Sequence, residues 1–316
     1  MSDIRAINKN INMKNLLTII SLLLCAAFVS CNETYDPDTA ESLYEPSQAR
    51  RVASVKTTFD ENGGENIHYH RYTYDAKGRI KTVNSELVIY TPVVKDYIDT
   101  AYYRCNMTTS ANYFYRGEEL EVAFSVSTDY PELPSMNKLS SSSNFGVFGS
   151  NGKLLRFSQA SFDYSTTMLL QAYTDGDICF DVTHDADGNI TGYKKYYVTS
   201  GKVIEDRSNL YHYHPKKNKT NFDFSGYFGY WGLEKAVPAI ATEYYAYYQL
   251  TAFGMMGSTS AYLPLAMLSR DKSGKPNVDE SGSLLYLYGR WELDSKECPV
   301  SFVDGSGRKT EIRYVD

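Results

Sequence analysis

From about residue 50 onward, apolar and polar side chains alternate in short runs, the period-two pattern of strands buried on one face. Ile67 to Tyr74, Lys81 to Tyr90, Tyr113 to Ser127, Asp177 to Thr183, Tyr193 to Ile204 and Leu284 to Leu293 all read this way. Between such runs recurs a turn built on Asp-x-x-Gly after aromatic or aliphatic residues, clearest in Tyr72-Thr73-Tyr74-Asp75-Ala76-Lys77-Gly78-Arg79-Ile80. Related turns are Phe59 to Gly63, Ser150 to Leu154, His184 to Ile190 and Asp304 to Gly307, with a weaker copy at Trp291 to Asp294 closed by Glu297-Cys298-Pro299. Asp caps its own turn through its side chain and Gly accepts positive φ, so each copy predicts a hairpin. The uneven spacing excludes a fixed-period solenoid. The pattern therefore predicts an all-β chain, a large curved or barrel-like antiparallel meander of hairpins.

Two stretches depart from it. Ser140 to Ser143, with Asn144 and Gly146, has the composition of a loop. Gly232 to Leu268 is rich in Ala, Leu, Glu and Met, and predicts a short helical or irregular segment near 233–268 that caps the sheet, with Pro238 limiting any helix.

The N-terminus follows different rules. Leu16 to Val29 is an uncharged apolar run after Lys14, and Ser30-Cys31 follow it. Spanning a bilayer takes about 20 apolar residues, so this run reads as a secretory signal. Phe28-Val29-Ser30-Cys31 resembles a bacterial lipobox in the loose form ending in Ser-Cys, which implies cleavage before Cys31 and its acylation. The segments are then a signal peptide over 1–30, a flexible acidic tether over 31–50 and a single β domain over 51–316. Acyl chains would hold the protein on a lipid bilayer without a spanning segment. The acidic residues after Cys31 resemble an export signal to the outer face of the outer membrane; surface-exposed and periplasm-facing display both stay open.

Charge narrows the partners. The 286 residues after position 30 carry 29 basic and 37 acidic side chains. With no Lys/Arg cluster in the sequence, this excludes nucleic acid and polybasic lipid docking. The 29 Tyr and 14 Phe against 2 Trp fit a sheet-rich fold, and also a ligand face with exposed Tyr, Phe and Trp231 as stacking groups. Cys105, Cys179 and Cys298 are too far apart in sequence for a C-x-x-C motif, and read as buried thiols with at most one disulfide.

The sharpest chemical candidate is a pair of H-x-H motifs, His68-Tyr69-His70 and His212-Tyr213-His214, each placing two imidazoles on one side of a strand. If the two strands paired, four His would converge on zinc or copper. Asp185-Ala186-Asp187-Gly188 begins like a calcium loop but lacks its closing Glu, and reads as a hairpin turn. No carboxylate pair stands out for glycosidase chemistry, and no G-x-S-x-G, G-x-G-x-x-G or phosphate loop is present.

Taken in order, the Tyr74-Asp75-Ala76-Lys77-Gly78-Arg79-Ile80 hairpin, Asn218 to Asp223, Gly254 to Pro264 and the closing Trp291 to Phe302 hairpin resemble the Bacteroidetes lipoprotein domain of unknown function described as having a porin-like fold. The resemblance would cover residues 52 to 316, implies a strongly curved or barrel-like antiparallel sheet, and brings no catalytic residues. A membrane-inserted barrel is excluded by charges on both faces of Arg79 to Glu86 and Lys194 to Glu205. The sequence thus reads as a non-enzymatic envelope lipoprotein, without cofactor, that binds a glycan or protein or serves structurally. The alternatives are an envelope glycan hydrolase and a metal-binding lipoprotein using His68, His70, His212 and His214.

Overall fold

The computed structural model describes residues 41–316, apart from 47, 96–98, 176–177, 200–201, 225–248, 258 and 277–285. Cys31 and Trp231 lie outside the described residues. The strands are β1 (Val52–Glu61), β2 (Gly64–Tyr74), β3 (Ile80–Lys95), β4 (Asp99–Arg116), β5 (Glu119–Asp129), β6 (Lys138–Phe148), β7 (Leu154–Phe157), β8 (Ala160–Tyr164), β9 (Leu170–Asp175), β10 (Ile178–His184), β11 (Ile190–Thr199), β12 (Lys202–Lys217), β13 (Tyr262–Asp271), β14 (Tyr286–Leu293), β15 (Pro299–Asp304) and β16 (Lys309–Tyr314). Each pairs antiparallel with its sequence neighbours, and β1 pairs with β16 to close a barrel.

The turns form as their chemistry dictates. Asp75 N donates to Arg79 O over 2.9 Å, Gly78 N donates to Asp75 O over 2.9 Å, and Asp75 Oδ1 accepts Arg79 N over 2.8 Å. The same frame closes Asp185–Asn189, Asp294–Cys298 and Asp304–Arg308. Its fourth residue is left-handed, with φ of 83° at Gly78 and 60° at Glu297. Two further copies, Ser165–Leu169 and Asp271–Lys275, escape the sequence reading. Asn62-Gly63 is the two-residue kind, with φ of 58° and 84°. The runs Tyr113 to Ser127 and Tyr193 to Ile204 each divide into two strands, because alternation continues across the hairpin.

One end of the barrel is filled. Phe222, Phe224, Leu250, Phe253, Met255 and Met256, from the β12–β13 connection, are buried together with Tyr72, Tyr113, Tyr115 and Phe302 from the wall. Phe253 meets Tyr72 edge-on at 5.1 Å and Phe222 at 5.4 Å. Burying each such ring contributes on the order of 2 to 3 kcal/mol. Of the capping segment expected near 233–268, residues 233–248 and 258 lie outside the described residues; the described part has a helical turn over 249–252, and the segment ends sooner than predicted, because Tyr262–Asp271 is strand β13. Its apolar residues find cover as wall positions.

The folded unit also begins earlier than residue 51. Tyr44 is buried against Tyr115 and Phe148, and its hydroxyl donates to Phe253 O over 2.7 Å. The compact unit runs from Glu41 to Asp316.

The wall is uneven. β3 and β4 are 16 and 18 residues long, whereas β7 to β10 have only 4 to 7. Ser140 to Ser143, expected as a loop, lies within strand β6, because ten residues of that strand pair with β5 and pairing overrides weak serine propensity. Cys105, Cys179 and Cys298 are buried free thiols.

Candidate functional site

Registers place the inward and outward rows of side chains that cross β1 to β6 at their middle. Going inward across β16, β1, β2, β3 and β4, one row reads Ile312, Val55, His70, Ser85, Thr109, and the next Thr310, Thr57, His68, Leu87, Met107. The first H-x-H pair is therefore inside the barrel, as period two requires. His70 Nδ1 and Ser85 Oγ share a hydrogen bond of 2.8 Å, and Thr57 Oγ1 lies 2.9 Å from Thr310 Oγ1. The His68 ring is 5.4 Å from Phe59, over which the Arg308 guanidinium stacks at 4.3 Å. Burial holds His70 at a pKa of about 3, and burial, with His70 and Arg308 nearby, holds His68 well below the usual imidazole range. Both rings are neutral at physiological pH.

The second pair is elsewhere. His212 and His214 are on β12, and five strands separate β12 from β2 around the shorter arc of the barrel. His212 is exposed, and His214 Nδ1 accepts Lys216 N over 3.1 Å. The four-His site is not formed, because the meander sends the two strands to different sectors of the wall. Among the described residues no cluster of three His, Cys, Asp or Glu could hold a metal ion. Asp185 and Asp187 serve the hairpin turn: Asp185 Oδ1 accepts Asp187 N and Asn189 N. The His70–Ser85 contact has the residue types of a nucleophile and base, and each residue is 1% exposed.

The outer face carries a different arrangement. Its rows across β2 to β6 read Arg71, Asn84, Ser110, Ser125, Ser141 and Tyr69, Glu86, Thr108, Ser127, Leu139. Small hydroxyl side chains leave a depression of about 290 Å³ lined by Arg71, Asn84, Glu86, Thr108, Ser110, Ser125, Ser127 and Leu139. That is near the lower limit of ligand sites. Arg71 and Glu86 form an ion pair at its margin, and the Arg71 guanidinium stacks 5.1 Å from the Tyr69 ring. Both charged groups are about half exposed, so their pairing adds little stability and leaves them available to a ligand.

Sequence reasoning missed this groove. Its lining comes from five strands, and the one local signal is hydroxyl residues at alternate positions in Thr108-Thr109-Ser110 and Ser125-Val126-Ser127. The aromatic residues expected on a binding face mostly turn inward: Tyr44, Tyr72, Tyr113, Tyr115 and Trp291 are buried. Among the described residues, Tyr102 and Phe145 are exposed but far apart, and form no contiguous patch.

Charge encircles the barrel. Glu65, Arg71, Glu86, Arg104, Glu119, Asp163, Asp181, Lys194, Arg290, Glu292, Lys309, Glu311 and Arg313 are all exposed. No described helix is long and apolar enough to cross a membrane, which leaves strands to be judged on this outer face.

Solved structures similar to this chain include two porin-like proteins. A porin-like protein from Bacteroides uniformis ATCC 8492 is 10% identical, with a TM-score of 0.48 over 86% of this chain and 100% of that one. A porin-like protein from Bacteroides vulgatus ATCC 8482 is 11% identical, with a TM-score of 0.37 over 84% of this chain and 99% of that one. No family model and no curated protein matches.

Proposed function

We propose that this chain is a non-enzymatic binding module of the cell envelope, associated with the outer membrane through an acylated Cys31, and that it takes a glycan in the groove across β2 to β6. The observation that carries the reading is the outer face. A wall inserted in lipid needs an apolar band about 25 Å tall, and each Arg or Lys near the bilayer midplane costs about 2 to 4 kcal/mol. Charged residues here stand on nearly every described strand. An exterior of this kind suits a barrel standing in water, and its lipid contact then falls to Cys31.

The groove chemistry supports a neutral, hydroxyl-rich ligand. One Arg and one Glu balance in charge, and Asn84 with four Ser or Thr hydroxyls supplies donors and acceptors in close array.

Calorimetric titration of the purified protein with neutral hexasaccharides (gluco-, manno- and xylo-configured) tests the site. Binding should weaken at least tenfold in Arg71→Ala and in Glu86→Ala. No binding by any of the three, or binding indifferent to both substitutions, contradicts it. Intact mass of the membrane-extracted protein should show acyl chains that Cys31→Ser removes.

A further inference from the structure

Strand β6 has two very different halves. Residues Lys138 to Val147 pair with β5 in unbroken register, Thr128 opposite Lys138 through Glu119 opposite Val147. On its other side, among the described residues, β6 meets β7 only at Gly146, Val147 and Phe148. The strand beyond β7 gives no cover, because β7 and β8 turn back at Ser158, whose N donates to Phe145 O over 2.8 Å. Lys138 to Ser143 are exposed without interruption, although sheet alternation puts Ser140 and Ser142 on the inner face, opposite Val126 and buried Phe124. The low wall of β7 to β10 therefore leaves a slot beside β6, and among the described residues the first half of β6 is a free edge.

Free edges recruit strands, and proteins usually guard them with charge, proline or a bulge. Here Lys138 is the one charged residue between Lys138 and Phe145, there is no proline, and the register with β5 has no bulge. The strand also carries two of the most exposed large apolar side chains among the described residues, Leu139 on the free half at 80% and Phe145 just beyond it at 59%.

The geometry points to a symmetric dimer in which two copies of this chain pair β6 against β6, antiparallel, about Ser141. A second copy fits this edge better than an arbitrary peptide because the sequence is self-complementary. With Ser141 opposite itself, Leu139 faces the partner's Ser143 and Lys138 faces the partner's Asn144, so no like charges oppose. Leu139 and Phe145 share the outer face by period two, and each Leu139 lies diagonal to the partner's Phe145, a spacing aromatic side chains span. Pairing thus covers both exposed apolar groups at once, and a two-fold contact closes on itself. This proposal does not depend on the ligand of the groove.

The test uses the full-length protein in membranes of expressing cells. Under mild oxidation, Ser141→Cys should give a covalent dimer, whereas Ser125→Cys, one strand inward on the same face, should not. Sedimentation equilibrium in detergent should give twice the monomer mass for the wild type and the monomer mass for Leu139→Lys/Phe145→Lys, with the melting temperature unchanged. A monomeric wild type, or equal cross-linking at Ser125→Cys and Ser141→Cys, would overturn the dimer, whatever other proteins are captured.

Discussion

Arg79 Nε donates to Asp75 Oδ2 over 2.6 Å in an ion pair closed to water, with side chains 1% and 2% exposed. The pair sits in the turn after β2, where Asp75 Oδ1 also accepts Arg79 N, and the guanidinium lies 4.4 Å from the Tyr115 ring centroid. One carboxylate thus shapes the turn and neutralises a cation inside the core. Arg79→Met should destabilise the protein by about 3 to 5 kcal/mol, because it strands a buried charge. Adding Asp75→Asn should recover a large part of the loss, since it removes that charge and keeps the cap. Urea unfolding midpoints of the single and double variants check both statements.

Acid sensitivity should arise inside the barrel. The His70 pKa is about 3 in the folded protein, against about 6.5 when unfolded. As pH falls below 6.5 the unfolded chain takes up a proton that the folded one refuses. Stability is therefore full above pH 6.5 and is lost as pH falls toward 3, by about 1.4 kcal/mol per pH unit. Between pH 6.5 and 5 this one residue accounts for roughly 2 kcal/mol. His70→Gln keeps a partner for Ser85 and should lose about that much less than wild type over the same interval, measured by urea unfolding at the two pH values.

The filled end should be held chiefly by its aromatic contacts. Phe253 touches Tyr72, Tyr74 and Phe222, and its carbonyl receives the Tyr44 hydroxyl. Phe253→Ala should cost about 3 to 5 kcal/mol by transfer and cavity formation. Tyr44→Phe removes only the hydrogen bond and should cost about 1 kcal/mol. Thermal unfolding of the two variants should rank them in that order.

A close approach between neighbouring strands gives a further test. A Cβ on Gly289 would lie 2.3 Å from Phe302 Cζ and 2.5 Å from Val303 O. The second contact is backbone and cannot swing away, so Gly289→Ala should cost about 1 to 3 kcal/mol through overpacking. Near-wild-type stability of this variant would show that β14 and β15 can separate there.

Legibility in the sequence followed the range of the interactions. Asp75, Asp185 and Asp304 announce their turns because each cap is completed within four residues. At Ser165–Leu169 a serine hydroxyl and a left-handed Met168 do the same work with residues that carry weaker local preferences. Ser140 to Ser143 looked like a loop because its strand state comes from β5, not from serine. Period two correctly put His68 and His70 on one face, but whether β2 meets β12 depends on the order of the whole barrel. The groove was illegible for the same reason: Arg71 and Leu139 meet only after four successive hairpins have formed.

Phase separation of the 41–316 unit in a cloud-point detergent addresses the water-facing exterior most directly. With Arg71, Glu86, Lys194, Arg290 and Glu311 on its surface, the folded unit should pass into the aqueous phase and show a β-sheet circular dichroism spectrum without detergent. Recovery of a folded 41–316 unit in the detergent-rich phase would contradict the account and return the barrel to the membrane.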